Sequence, residues 1–169
     1  ALQHSFASAE KIFTILDMVP QVVDDEDAMD LPEIRGEIEF KDVWFAYKPG
    51  EWVLKGVSFH VDAGQAVAFV GSTGSGKTTI INLLMRFYDV NQGAIKVSGT
   101  DIRNITRNSL RGSYGMVLQE TWLKTGTIRE NITMGKPDAT EEEIIAASKA
   151  SHAHSFIKRL PQGYDTYIT

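Results

Sequence analysis

Cysteine is absent from the 169 residues, which excludes a disulfide framework and any thiol chemistry. Long apolar runs are absent as well. The longest, Ala66-Val67-Ala68-Phe69-Val70, is strand-sized and far short of the roughly 20 residues that span a bilayer. Residues 1–16 have neither the basic start nor the continuous apolar stretch of a secretion signal. An initiating Met is also missing, and the chain opens on what reads as mid-helix, so the expectation is a piece trimmed from a longer chain. Basic residues are outnumbered, with 17 Lys and Arg against 22 Asp and Glu and a formal net charge of −5. That balance argues against nucleic acid as the main partner, because affinity for a phosphate backbone comes from clustered Lys and Arg.

What is present suits one globular domain, since a 43% hydrophobic and 23% charged composition can build an ordinary core. Phe6, Ala9, Ile12, Phe13 and Leu16 recur at helical spacing and predict a helix over residues 1–17. Asp24, Asp25, Glu26, Asp27 and Asp30 lie between Pro20 and Pro32, and such a like-charge block is expected to be a solvated, mobile linker. Residues 37–47 are rich in β-branched and aromatic side chains and predict a strand. Lys48-Pro49-Gly50 is a turn signal, and Val57, Phe59 and Val61 alternate as in a half-buried strand. Residues 66–70 read as a strand buried on both faces, and residues 79–87 as a helix. A hairpin is expected over residues 94–101, another short strand over 114–118, and a capped helix after Thr140 and Glu143. Residues 153–160 read as helical up to Pro161. Strands alternating with helices around a glycine-rich loop predict an α/β fold with a partly parallel sheet and an added antiparallel layer.

The informative stretch is that loop, Gly71-Ser72-Thr73-Gly74-Ser75-Gly76-Lys77-Thr78, which matches the phosphate-binding pattern G-x-x-x-x-G-K-[ST] in full. Glycines let the backbone curl until successive N–H groups face one anion. The loop opens a helix, whose first N–H groups lack internal partners and whose dipole favours negative charge. Lys77 supplies a charge for β- and γ-phosphates, and the Thr78 hydroxyl a ligand for Mg2+. The motif therefore points to ATP or GTP with Mg2+.

Together with residues 36–47, 54–64 and 115–135, this loop resembles the nucleotide-binding domain of ABC transporters. The resemblance implies a phosphate-loop NTPase core, an added antiparallel β layer and the start of a helical subdomain, incomplete at the C-terminus. It implies that Tyr47 stacks on adenine, which an aromatic face does with little chemical demand. Nucleotide contacts are implied for Tyr47, for Gly71 through Thr78, and for Thr79. Gln119, closing Val117-Leu118-Gln119, matches the family glutamine that approaches Mg2+ and the attacking water. On this resemblance Lys77 and Gln119 serve catalysis, and Thr78 and Gln119 serve the metal. Gly126-Thr127-Ile128-Arg129-Glu130-Asn131-Ile132 resembles the exporter segment that follows, although Leu123 stands where family members commonly have Phe.

Residues 7–17 resemble the segment joining the last membrane helix of an exporter to its ATP-binding domain. The implied organisation is a joining helix over 1–17, an acidic linker over 18–35, an ATP-binding core over 36–135 and the start of a helical subdomain over 136–169. The implied partners are a membrane domain on the same chain and a second nucleotide-binding domain in a head-to-tail dimer, at the cytoplasmic face of a membrane. No apolar strand ending in Asp-Glu follows Gln119, and neither the glycine-rich signature nor a switch histidine is found. His4, His60, His152 and His154 read as surface or packing residues. The leading expectation is a piece that binds ATP and needs further chain to hydrolyse it. A self-contained regulatory module and a soluble non-transport ABC ATPase are the alternatives. In the family topology residues 66–70 and 114–118 are not neighbours, so Val67, Phe69, Met116 and Leu118 are expected to face a gap.

Overall fold

The computed structural model describes residues 2–31, 34–117 and 122–168. The chain falls into two compact units, Ala1–Gly115 and Met116–Thr169.

The first unit begins with α1 (Leu2–Leu16), as the periodicity predicts. Its Phe6, Ile12, Phe13, Ile15 and Leu16 are all exposed. A four-stranded sheet follows, built from β1 (Ile38–Ala46), β2 (Trp52–Val61), β3 (Gln92–Val97) and β4 (Thr100–Asp101) in the order β2-β1-β3-β4. Every pairing in it is antiparallel, and the Glu51 N–H donates to the Lys48 carbonyl in the predicted turn. Phe40 lies opposite Phe59 with the rings stacked 4.4 Å apart, a cross-strand pair that helps fix the register. α2 (Lys77–Leu84) and α3 (Arg107–Gly112) supply Ile80, Leu83 and Leu110 to a core shared with Phe40, Val43, Phe45, Ile95 and Val97.

The inward face of β1 does not follow strict alternation. Phe40 and Val43 are both buried, and the register slips between them, with Asp42 at φ 47°. This bulge resets the phase so that Val43 and Phe45 continue inward. Gly93 at φ 80° lies against it, and a Cβ there would come within 2.1 Å of the Asp42 carbonyl oxygen and 2.4 Å of that of Lys41. Gly93→Ala is expected to cost about 1–3 kcal/mol, because both obstacles are backbone and cannot rotate away. Gly99 has the same φ of 80° with open space around it, so Gly99→Ala isolates the dihedral strain. Equal losses for the two variants in urea denaturation would remove the bulge contact as the cause.

Three expectations are corrected here. The acidic stretch is not merely solvated. Asp24 accepts from the Arg107 backbone N–H and Nε at 3.1 Å each and pairs with Arg86 Nη1 at 3.5 Å. Arg107 Nη1 donates to the Val22 carbonyl at 2.7 Å, Thr106 Oγ1 bonds to Asp30, and Met29 bridges to Ile105. Asp25, Glu26 and Asp27 are exposed as expected. What decides between the two fates is the presence of guanidinium and amide donors opposite Asp24, which charge counting along the chain does not see. Second, residues 66–70 form no strand among the described residues, and Val67, Phe69 and Val70 are exposed at 51%, 39% and 94%. Residues 114–117 are likewise unpaired, with Met116 at 43% and Val117 at 92%, while Leu118 lies outside the described residues. Both segments have strand-like composition and no described neighbour to complete a ladder. Third, the sheet is antiparallel rather than partly parallel, and the one described parallel contact is the Met29–Ile105 bridge.

The second unit is small and held by helix caps. β5 (Gly126–Thr127) pairs antiparallel with β6 (Tyr167–Ile168). Thr127 and Glu130 form a capping box at α4 (Ile128–Ile132), and Thr140 and Glu143 form the predicted one at α5 (Glu141–Ala150). Lys136 bonds to Glu143 at 2.6 Å, and that bond, followed by the Thr140 N–H, holds the Glu143 carboxyl below its usual range. A carboxyl whose folded pKa is depressed adds stability above its unfolded pKa and loses it as pH falls, so acid weakens this cap. Residues 153–160 contain only a short helix, α6 (His154–Ile157), continued by turn hydrogen bonds to Leu160. Ile144 and Ile157 are buried, and Arg129 pairs with Glu141 and Asp165.

Candidate nucleotide site

The glycine-rich loop lies in the first unit, directly before α2. Gly76 is the N-cap of that helix at φ 90°, with no side chain capping it, so the first N–H groups of α2 are left to whatever fills the loop. Gly74 at φ 84° is also left-handed. Bulk is excluded at two further points. A Cβ on Gly76 would come within 2.9 Å of Leu54 Cδ2, and one on Gly71 within 2.6 Å of Ser75 Oγ. Gly76 is thus favoured by its left-handed backbone, and a side chain at Gly71 or Gly76 would have to displace Ser75 or Leu54.

Lys77 folds back over this curl. Its Nζ donates to the Gly71 and Ser72 carbonyls at 2.8 Å each and reaches Ser75 Oγ at 3.5 Å. Ser75 N–H closes a turn onto the Ser72 carbonyl at 3.2 Å. An ammonium is thus held at the mouth of a loop with unpaired helix N–H groups, an arrangement that suits an anion with several oxygens. Thr78 is exposed beside it, and Thr79 is buried.

Tyr47 follows β1 and is 47% exposed. Its ring meets Phe45 edge-on at 4.8 Å and Tyr88 at 5.1 Å. Its hydroxyl lies 3.2 Å from Thr79 Oγ1 and accepts from Asn82 Nδ2 at 3.2 Å. The structure therefore gathers Tyr47, Lys77, Thr78 and Thr79 around the start of α2. Gln119 lies outside the described residues. Among the described residues no group of three or more His, Asp and Glu could hold a metal ion. His60 sits on the surface beside Asp62, and His154 bonds to the Tyr164 hydroxyl at 2.7 Å, in line with surface and packing roles.

Sequence reasoning missed Asn82 and Arg86. Arg86 is 1% exposed just past α2, at φ 51°. It donates to Asp89 at 3.0 Å, to the Ile105 carbonyl at 3.3 Å and to the Val23 carbonyl at 3.2 Å, besides its pair with Asp24. Its own carbonyl accepts from Arg111 Nη2 at 2.8 Å. Only Asp89 is local to it, and the contacts that mark it as a core residue come from the separate segments around Val23 and Ile105.

A glycine-walled loop that opens a helix beneath an antiparallel sheet, with a lysine across its mouth, is the build of a phosphate-loop nucleotide-binding domain. Residues 54–167 match the ABC transporter family, and the chain belongs to it. An uncharacterized ABC transporter ATP-binding protein of Bacillus subtilis is 52% identical over 98% of this chain and 27% of its own length. A fatty acid ABC transporter ATP-binding/permease protein of Mycobacterium bovis is 47% identical over 100% of this chain and 26% of its own. An ATP-dependent lipid A-core flippase of Syntrophus aciditrophicus is 46% identical over 99% of this chain and 28% of its own. Among solved structures, a bacterial Atm1-family ABC exporter with ATP bound matches at a TM-score of 0.84 and 40% identity, over 98% of this chain and 29% of that one. The chain spans about a quarter of the length of these relatives. The matches support neither the self-contained regulatory module nor the soluble non-transport ATPase.

Proposed function

We propose that this chain is the ATP-binding face of a transporter that uses ATP to move a solute across a membrane, acting from the cytoplasmic side. The observation that carries the reading is the Lys77 ammonium held by two carbonyls across a loop of otherwise unpaired helix N–H groups. In this reading Gly71, Ser72, Thr73, Gly74, Ser75 and Gly76 wrap the phosphates, and Thr79 supports them from the first turn of α2. Lys77 exchanges its carbonyl partners for phosphate oxygens, and Tyr47 stacks on adenine. Mg2+, when bound, neutralises charge on the transferring phosphoryl oxygens and keeps several of its own waters. Thr78 and Gln119 are the side chains that would hold it, and Gln119 would also orient the attacking water. Hydrolysis belongs to the full-length protein, with a second nucleotide-binding domain bound head-to-tail. Residues 1–17 would join the ATP-binding core to a membrane domain, with the linker at 18–35 between this helix and the core. The ATP-binding core would cover residues 36–135, with a helical subdomain starting at 136–169.

Calorimetric titration with ATP-Mg tests the assignment of the base. Tyr47→Ala is expected to weaken binding by about 1–3 kcal/mol, the range for one stacked base, while Tyr47→Trp largely preserves it. Unchanged affinity in the alanine variant would reduce Tyr47 to a packing residue on the edge of the sheet.

A further inference from the structure

Stacking needs only the ring of Tyr47, yet its hydroxyl is held from two sides. Thr79 and Asn82 lie three residues apart and so share one face of α2. The Thr79 hydroxyl is 3.2 Å from Tyr47 Oη, and the Asn82 amide donates to the same oxygen at 3.2 Å. Thr79 is 5% exposed, so its end of this bond is fixed by the core. The phenol oxygen accepts from the Asn82 amide and shares a hydrogen bond with the Thr79 hydroxyl, in which either can donate. Phe45 and Tyr88 restrain the ring body at 4.8 Å and 5.1 Å. Without the hydroxyl contacts, a half-exposed aromatic beyond the end of a strand could swing about its side-chain torsions.

We propose that Asn82 is a positioning residue for the nucleoside end of the ligand, clamping the Tyr47 hydroxyl to α2 and so fixing the ring relative to the phosphate loop. The inference rests on the stacking role given to Tyr47 above. Its physical content is that one rigid element sets both ends of the site. The N-terminus of α2 receives phosphate, and the turn that follows holds the base platform. Preorganisation of this kind raises affinity by lowering the ordering cost of binding, without a new contact to ligand.

The test compares two probes on the full-length protein, ATP-Mg and inorganic tripolyphosphate-Mg, which has no base to stack. Asn82→Ala is expected to weaken ATP-Mg about 3- to 10-fold, the scale of one neutral hydrogen bond, and to leave tripolyphosphate-Mg unchanged. Tyr47→Phe keeps the ring and removes the Thr79 contact together with the clamp, so it should show a selective loss at least as large. The double variant should be no weaker than Tyr47→Phe alone, since the Asn82 bond is already gone there. Equal loss of both probes in Asn82→Ala would overturn the proposal, by showing that Asn82 supports α2 in general. If Tyr47→Ala weakens ATP-Mg while Asn82→Ala and Tyr47→Phe do not, the platform stands and the clamp falls. If Tyr47→Ala leaves ATP-Mg unchanged, the stacking reading fails and the clamp fails with it.

Discussion

Arg86→Ala is expected to lower the unfolding free energy by about 3 kcal/mol, the low end of the roughly 3–5 kcal/mol seen when a buried ion pair loses one partner. The guanidinium is almost wholly enclosed, with a side chain 2% exposed, but Asp24 and Asp89 are exposed at 32% and 38%. Water therefore relieves part of the charge left behind, which places the loss at the bottom of the range. The Ile105 carbonyl, on a fully buried residue, is relieved less and loses this donor outright. Asp24→Asn should cost less, because the amide oxygen still accepts from Arg107. Urea denaturation of the two variants decides the matter. A loss under about 1 kcal/mol for Arg86→Ala would mean that the surrounding segments hold without it.

Lys77→Ala is expected to weaken ATP-Mg binding by about 1.5–3 kcal/mol, or roughly 10- to 150-fold, the contribution of a charge-assisted hydrogen bond. The phosphates lose a cation, and this outweighs the release of the Nζ bonds to Gly71 and Ser72, which the lysine gives up on binding in any case. Lys77→Arg should not restore binding in full, because the planar guanidinium is larger and cannot act as a compact point charge in the same space. Titration showing affinity within about twofold of the parent would remove Lys77 from the site.

The site was legible wherever its chemistry is written in consecutive residues. The phosphate loop is a spacing rule, and the Thr140–Glu143 cap a four-residue one, so both could be read directly. Tyr47 could be placed by its position upstream of the loop, but the bonds from its hydroxyl to Thr79 and Asn82 span more than 30 residues and leave no local trace. The hairpin of β1 and β2 was visible in composition and turn residues. The bulge between Phe40 and Val43 was not, because it depends on Gly93 approaching from a strand far along the chain. Residues 66–70 show the opposite failure. Their apolar side chains announce a buried strand, but a strand exists only where a neighbour supplies hydrogen bonds, and composition cannot state where that neighbour is. Arg86 is the extreme case, a charge in the core held by nearby Asp89 and by carbonyls from two distant segments.

The anchoring of Asp24 and Val22 shortens the reach of everything N-terminal to it. Taken as free chain, residues 18–35 could extend to roughly 60 Å at 3.3–3.6 Å per residue. With α1 ending at Leu16, Asp17 and Met18 bonded back onto it, and Arg107 gripping the Val22 carbonyl, only residues 19–21 lie between the two anchors, a leash of roughly 10 Å. The end of α1 is then confined to a small volume beside Val22, where its effective concentration is far higher than a long flexible tether would give. Any displacement of α1 beyond that length must first strip Asp24 from Arg86 and Arg107, so that a pull on the leash is felt at the foot of the helix whose head holds the phosphate loop.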